Sequence, residues 1–150
     1  MTIINRFYGE YAFLSNFAHR PITFKGKTWS TVEHIFQAAK TLDEDMREQI
    51  RLAPTPGKAK QIGQTVHLRP DWEQIKRKVM LKCIRLKFRQ YPGLKEHLLS
   101  TENAVLIEGN TWHDNIWGDC SCFKCRKTKG ENLLGQILMQ VREELKNNQL

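Results

Sequence analysis

Apolar side chains recur along most of this sequence at the three- and four-residue spacing that places them on one face of a helix. This spacing, with capping residues and Pro or Gly breaks, predicts helices over residues 31–42, 43–52, 57–66, 72–91, 94–99 and 131–146. The turn-rich segment before residue 30 predicts loop plus a small hairpin, and residues 104–107 predict a short strand. We expect a mainly α fold in one compact domain, residues 1–150, with a small N-terminal β-hairpin and one or two short strands.

The longest predicted helix, residues 72–91, has Asp71 as its predicted N-cap and carries two apolar arcs. We therefore expect it to be central and buried over more than half of its girth. The remaining strip is basic and consists of Lys78, Lys82, Arg85 and Arg89. This stripe is the best candidate in the chain for binding phosphate, and a solvated helix face is the ordinary alternative.

The first predicted helix places three chemically capable side chains beside its apolar face. Glu33, Gln37 and Lys40 fall on one strip at helical spacing, which brings a carboxylate, an amide and an ammonium together. An alternative is purely structural, because Ser30 and Glu33 have the spacing of a capping box. The pattern alone leaves both interpretations open.

The charge of the chain favours an anionic partner. Lys and Arg number 24 against 16 Asp and Glu, which gives a formal net charge of +8. Nucleic acid, a phosphorylated metabolite and a dinucleotide all satisfy this sign, so the charge does not choose among them.

The sequence predicts a cytoplasmic location and no membrane partner. It has neither an apolar run long enough to span a bilayer nor a basic start followed by an apolar stretch. Three of its four cysteines crowd into residues 120–125, a spacing that suits a reducing compartment better than a disulfide framework.

Several motifs along the chain together resemble the NADAR family, the YbiA-like proteins, from about residue 5 to residue 144. The matching stretches are Phe13-Leu14-Ser15-Asn16-Phe17, Trp29 with Glu33-His34 and Phe36-Gln37-Ala38 and Lys40, Arg69 with Asp71-Trp72 and Lys78-Val79-Met80, Asp114 with Trp117-Gly118, and Gly130 with Asn132, Leu134-Gly135, Leu138-Met139 and Arg142. Any one of these would be weak, but five in order with fitting spacing identify the chain as a member.

The resemblance implies a mainly helical single domain that hydrolyses N-glycosidic bonds without a cofactor. The substrates it implies are phosphorylated ribosylaminopyrimidine intermediates of riboflavin synthesis, or ADP-ribose groups on nucleic-acid bases. Both place a nitrogen heterocycle on a ribose that carries phosphate, so the expected partner is a small phosphorylated riboside or an ADP-ribosyl substrate, in the second case on nucleic acid.

The resemblance also implies site residues. It gives Glu33 and Asp114 as the catalytic pair, with substrate contacts from Trp72, Asn16, Lys40, Trp117 and Asn132, to which the basic stripe adds Lys78. Two carboxylates fit the chemistry, because cleavage of this bond builds positive charge on the sugar. Trp72 offers a flat face to the heterocycle, although a core role is the alternative. We expect Glu33 to act as base or charge stabiliser and Asp114 to orient the substrate.

The cysteine cluster departs from the simplest family pattern. Cys120, Cys122 and Cys125, joined by His113 or Asp119, have the chemistry of a three- or four-ligand zinc site. The spacing is not that of a standard zinc finger, so we expect a metal-free loop of reduced thiols. If zinc binds, the expected role is to order the Asp114 loop rather than to catalyse.

Two functions of other classes compete with the enzyme. A noncatalytic ADP-ribose or nucleotide-binding module would use Trp72 and the basic residues without depending on both carboxylates. A basic, zinc-containing nucleic-acid-binding protein would account for the charge and the cysteines. It would leave the Glu33 strip and the Asp114 loop unexplained.

Overall fold

A computed structural model describes residues 1–150 and confirms the mainly α fold, with six α-helices, one 3-10 helix and six short strands. In chain order the elements are β1 Ile3–Ile4, the 3-10 helix Gly9–Leu14, β2 Ile22–Phe24, β3 Lys27–Trp29, α1 Val32–Ala39, α2 Glu44–Arg51, α3 Pro56–Gly63, α4 Trp72–Gln90, α5 Pro92–Ser100, β4 Val105–Leu106, β5 Gly109–Asn110, β6 Asp119–Cys120 and α6 Leu133–Lys146. None of the helices combines the length and the hydropathy that a membrane span requires.

The chain packs as two compact units. The middle unit is Asn16–Gln90, and the terminal unit combines Met1–Ser15 with Tyr91–Leu150. Each unit has its own set of helix and strand contacts, described separately below.

Helix α1 is the centre of the middle unit, where it packs against α2, α3 and α4. Every residue from Val32 to Ala38 is buried. The helix begins one residue later than predicted, because Thr31 is the N-cap and its hydroxyl accepts a hydrogen bond from the His34 N–H at 3.2 Å. Asp43 is the N-cap of α2 and Thr55 is the N-cap of α3.

The hairpin of the middle unit is confirmed as β2 and β3, which pair antiparallel with Ile22 opposite Trp29. Lys25 and Gly26 form its turn with φ of 50° and 78°, the left-handed values that a tight two-residue hairpin turn requires. The Gln90 side chain extends this small sheet: its amide donates to the Thr23 carbonyl at 2.8 Å, and its Oε1 accepts from the Thr23 N–H at 2.9 Å.

The terminal unit contains two parallel strand pairs that the sequence did not predict in full. The predicted strand is confirmed as β4, and it pairs with β1, with Ile3 opposite Val105. Strand β5 pairs with β6, with Asn110 opposite Cys120. Two-residue strands show no alternation of apolar and polar residues, so β1, β5 and β6 left no periodic signal. Helix α6 packs against α5 and β4.

Helix α4 buries one side fully, and the other members of its two apolar arcs, among them Ile75, Val79 and Leu86, are half-buried. Its buried residues are Trp72, Met80, Cys83, Ile84, Lys87 and Phe88. Lys87 is unexpected in this set, since it is only 1% exposed. Burial and, to a smaller extent, the positive charge of Arg20 lower its pKa to about 7.

The buried Lys87 predicts a pH dependence of stability. A lysine in the unfolded chain titrates near about pH 10.4, so between about pH 7 and that value the unfolded chain binds more protons than the native protein. The free energy of unfolding should therefore rise with pH across this window, and K87M should lose that contribution, which is at most about 1.4 kcal/mol per pH unit. Urea unfolding across the window measures it, with K78M on the exposed face of the same helix as control. Equal pH slopes in K87M and the unmodified chain would contradict the prediction.

Candidate active site

Glu33 is a buried carboxylate in the first turn of α1, 7% exposed. Gln37, one turn along the helix, donates from Nε2 to its Oε1 at 2.8 Å. With Thr31 as the N-cap, the third helical position is His34, so a capping box from Ser30 to Glu33 does not describe this helix start. The Glu33 carboxylate therefore accepts a hydrogen bond from a neutral amide. It lies inside the protein, where a charge without polar partners has a high free-energy cost.

His34 follows Glu33 in sequence, but both of its ring nitrogens serve the fold. Nε2 lies 3.0 Å from the Ala53 carbonyl, which can only accept, and Nδ1 lies 2.8 Å from the Thr31 hydroxyl. His34 is completely buried. It therefore ties the start of α1 to the segment after α2.

Two buried amide oxygens near Glu33 have no hydrogen-bond partner in the protein, Asn16 Oδ1 and Gln37 Oε1. Asn16 is joined to the strip through its backbone, since its carbonyl accepts from the Glu33 N–H at 3.2 Å, and its amide lies 3.4 Å from the Met80 sulfur. Unpaired buried acceptors are rare in proteins. The family resemblance implies that Asn16 contacts substrate, and the structure leaves its side-chain oxygen without a protein donor.

The oxygen of Gln37 has a different neighbour. It lies against Gly63, the last residue of α3, where an added Cβ would collide with the Gln37 side chain. The absence of a side chain at Gly63 therefore lets α1 and α3 approach closely and leaves room for the amide that holds Glu33. Sequence analysis placed Gln37 on the strip but gave it no role.

Lys40, the residue after α1, and Trp72 of α4 both lie beside the Phe36 ring. Burial lowers the pKa of Lys40, with Glu33 acting in the opposite direction and Lys60 adding to the decrease. The Lys40 ammonium lies 5.8 Å from the Phe36 ring centre, and the Trp72 ring lies 5.2 Å from it on a tilt of 56°. Trp72 is only 5% exposed, so most of its ring is core.

The basic stripe of α4 is at the surface. Lys78 is exposed, and farther along the stripe the Lys82 ammonium lies 4.9 Å from the centre of the Phe24 ring in the hairpin. The middle unit thus gathers Asn16, Glu33, Lys40 and Trp72 on and beside α1, while the stripe runs past the hairpin.

In the terminal unit, Asp114 forms the turn that leads into Trp117. Its Oδ1 accepts from the backbone N–H groups of Ile116 at 3.2 Å and Trp117 at 2.9 Å. Asn110, which is 4% exposed, holds the same turn, because its amide donates to the Asp114 carbonyl at 2.8 Å and its Oδ1 accepts from the Asp114 N–H at 3.1 Å. The sequence gave no role to Asn110, because the two-residue strand that it ends left no periodic signal.

The start of α6 fixes this turn from the other side. The N–H groups of Leu133 and Leu134, which have no partner within the helix, donate to the carbonyls of Ile116 and Trp117, both at 3.0 Å. The predicted pocket residue Asn132 precedes them in a left-handed conformation with φ 53°. Its side chain bonds the backbone of the neighbouring strand segment: Nδ2 donates to Leu106 and Oδ1 accepts from Glu108, both at 2.9 Å. Both ends of this amide therefore serve the architecture of the loop.

Comparison with known proteins finds a family model, related sequences and a related structure. The model of the NADAR domain family matches residues 6–146. N-glycosidase YbiA of Escherichia coli (strain K12) is 46% identical over 149 residues, which cover 96% of this chain and 89% of that protein. The riboflavin biosynthesis protein PYRR of maize, a chloroplastic protein, is 40% identical over 130 residues, which cover 79% of this chain and 20% of that protein. An NMR structure of E. coli YbiA superposes with a TM-score of 0.83 at 44% identity, covering 99% of this chain and 87% of that one.

The contact between Gln37 and Gly63 can be tested by stability. In G63A the added methyl group collides with the buried Gln37 amide, so we expect a loss of about 1–3 kcal/mol in the free energy of unfolding. G57A in the same helix is the matched control, because its nearest neighbouring atom is 3.9 Å from the added carbon. Urea unfolding of the three proteins measures the difference. A change of the same size in both variants would show that Gln37 does not depend on Gly63.

Proposed function

The chain belongs to the NADAR family, and we propose that it hydrolyses the bond between a phosphorylated ribose and a nitrogen heterocycle. It is accordingly an enzyme, a hydrolase acting on N-glycosyl bonds. The E. coli relative is named an N-glycosidase and the maize relative is named for riboflavin biosynthesis. These names favour ribosylaminopyrimidine phosphates as substrates over ADP-ribosylated nucleobases. In this proposal the protein acts in the cytoplasm, because free thiols stay reduced in that compartment.

The buried carboxylate of Glu33 is the observation that carries this proposal. Departure of the heterocycle leaves positive charge on C1′ and O4′ of the ribose. A carboxylate that is already desolvated and held by Gln37 is oriented before the substrate arrives, so it can stabilise this charge without rearrangement. In the proposed reaction water forms the new bond to C1′ and gives a proton to Glu33 while the C1′–N bond breaks. The leaving nitrogen takes up a proton from solvent, and Glu33 returns its proton to solvent.

Asp114 has the role of orienting the substrate. Oδ1 accepts both of its hydrogen bonds from backbone N–H groups. In the proposed complex Oδ2 would accept a hydrogen bond from a hydroxyl group of the sugar. The turn is braced by Asn110 and by the first N–H groups of α6, which would keep the carboxylate in a fixed direction.

The remaining contacts follow from exposure and charge. Asn16 Oδ1 would accept a hydrogen bond from the substrate, and the half-buried Lys40 would bind phosphate. Lys78 would meet a phosphate at the surface. Trp117 is half-buried and offers more ring surface for stacking than Trp72, whose ring is packed on Phe36.

The charge of Glu33 is tested by E33Q. This variant keeps an oxygen that accepts from Gln37 but removes the negative charge. We expect the turnover rate to fall about 10²- to 10⁴-fold while substrate binding and thermal stability survive. Mass spectrometry of the products measures it, with E96Q at an exposed position as control. Unchanged turnover would overturn the role of Glu33. Binding of ADP-ribose without turnover in the unmodified chain would instead favour a noncatalytic nucleotide-binding module.

Two variants distinguish the effect of the Asp114 charge on turnover from the effect of its hydrogen bonds on the stability of the turn. D114N retains an oxygen for the N–H groups of Ile116 and Trp117, whereas D114A removes it, at a cost of about 0.5–2 kcal/mol in stability. If the carboxylate orients the sugar, both variants lose turnover but only D114A loses stability. An active D114N would limit Asp114 to shaping the loop.

The substrate is tested by offering the purified chain a ribosylaminopyrimidine phosphate and an ADP-ribosylated guanine oligonucleotide. We expect ribose 5-phosphate to be released from the first substrate. Release of ADP-ribose with the base restored would assign the chain to reversal of nucleic-acid modification. Tight binding to unmodified DNA that weakens steeply with salt, without turnover of either substrate, would favour a nucleic-acid-binding protein.

A further inference from the structure

A compact cluster of soft ligand atoms lies in the loop between β5 and α6, and the proposed hydrolysis does not use it. It consists of His113 Nδ1 and the sulfur atoms of Cys120, Cys122 and Cys125, all within 4.8 Å of one another. None of the three cysteines forms a disulfide. The cluster therefore presents three thiols and an imidazole to a common centre.

The distances fit a tetrahedral zinc ion. Zinc binds sulfur at about 2.3 Å and nitrogen at about 2.05 Å, so a regular tetrahedron places nitrogen and sulfur ligands about 3.6 Å apart. Here His113 Nδ1 lies 3.2 Å from the sulfur of Cys122, 3.4 Å from that of Cys125 and 4.0 Å from that of Cys120. These separations bracket the tetrahedral value.

The fold brings the ligands together from two directions. Cys120 ends β6 opposite Asn110, and His113 lies three residues beyond Asn110, so the parallel pair delivers both to the same edge. Cys122 and Cys125 follow on a tight turn in which the Cys125 N–H donates to the Cys122 carbonyl at 3.1 Å. Backbone N–H groups of His113 and Cys122 point to the sulfur of Cys120 at 3.3 and 3.5 Å, an arrangement that supports a thiolate.

His113 has a left-handed backbone, with φ 70°. A residue with a Cβ adopts this conformation at a cost, and such positions concentrate where a side chain must be aimed at a site. The alternative fourth ligand, Asp119, is engaged elsewhere, because its Oδ1 accepts from the Gly130 N–H at 2.8 Å. The structure thus selects His113 between the two candidates that the sequence left open.

The local charge also suits bound thiolates. Exposed basic side chains follow the cysteines closely, and they are Lys124, Arg126, Lys127 and Lys129. Three thiolates with one divalent cation carry a net charge of −1, which this basic surface would offset.

We propose that this chain binds one zinc ion through His113, Cys120, Cys122 and Cys125, as a structural site that closes the Asp114 loop. Four protein ligands fill a tetrahedral coordination shell and leave no position for substrate, so the ion stabilises the loop and takes no part in the reaction. Since His113 precedes Asp114 directly, the ion would anchor the turn that carries the carboxylate. This inference does not depend on the proposed hydrolysis.

The first test is the metal content of the full chain after exposure to zinc and removal of free ions by gel filtration. We expect one zinc per chain by plasma mass spectrometry, and a substoichiometric content in C122S. The matched control is C83A, which removes the buried thiol outside the cluster and should retain the ion. Absence of bound zinc in the unmodified, reduced protein would overturn the proposal.

A second measurement does not depend on the folding of a cysteine variant. Cobalt in place of zinc should give the intense visible bands of a tetrahedral site together with a sulfur-to-metal charge-transfer band. H113N, whose asparagine tolerates the left-handed backbone, should shift these bands and lower the melting temperature gained on adding zinc. Cobalt spectra identical in H113N and the unmodified chain would exclude His113 as a ligand.

Discussion

The placement of a carboxylate inside a helix contact is the constraint on which the middle unit depends. Glu33 lies on α1, whose residues from Val32 to Ala38 are all buried, and a buried charge costs several kcal/mol unless the protein supplies polar partners. Gln37 is one such partner, and its amide fits because Gly63 leaves space on α3. Gly63 on α3 thus makes room for the Gln37 side chain on α1. The same contact lets the two helices pack closely and gives Glu33 a hydrogen-bond donor.

This arrangement also sets the chemistry that the carboxylate can perform. The amide of Gln37 holds Glu33 in position without adding positive charge, so in the proposed reaction the carboxylate would keep its attraction for a developing cation. Lys40 lies close enough to interact electrostatically with Glu33, and burial lowers the pKa of that lysine. A half-buried cation at the end of α1 and a buried anion at its start place groups of both signs in the middle unit.

The terminal unit stabilises its functional loop by different means. Asp114 and Asn110 satisfy backbone groups on one side of the turn, and the free N–H groups at the start of α6 satisfy carbonyls on the other. The segment that follows has little apolar material to pack, since Phe123 is exposed. A metal ion held by three thiolates and an imidazole would supply there the cohesion that a hydrophobic core supplies elsewhere.

The sequence by itself determined the helices, the hairpin and the family, because periodicity and turn signals act within a few residues. Only the tertiary structure decided which residues those elements bury and which distant segments meet. It buried Lys87 on a helix with two apolar arcs, paired β1 with β4, and placed His113 beside the three cysteine sulfurs. These outcomes depend on contacts between residues far apart in the chain, or on which side of an element its neighbours cover, and local pattern carries neither.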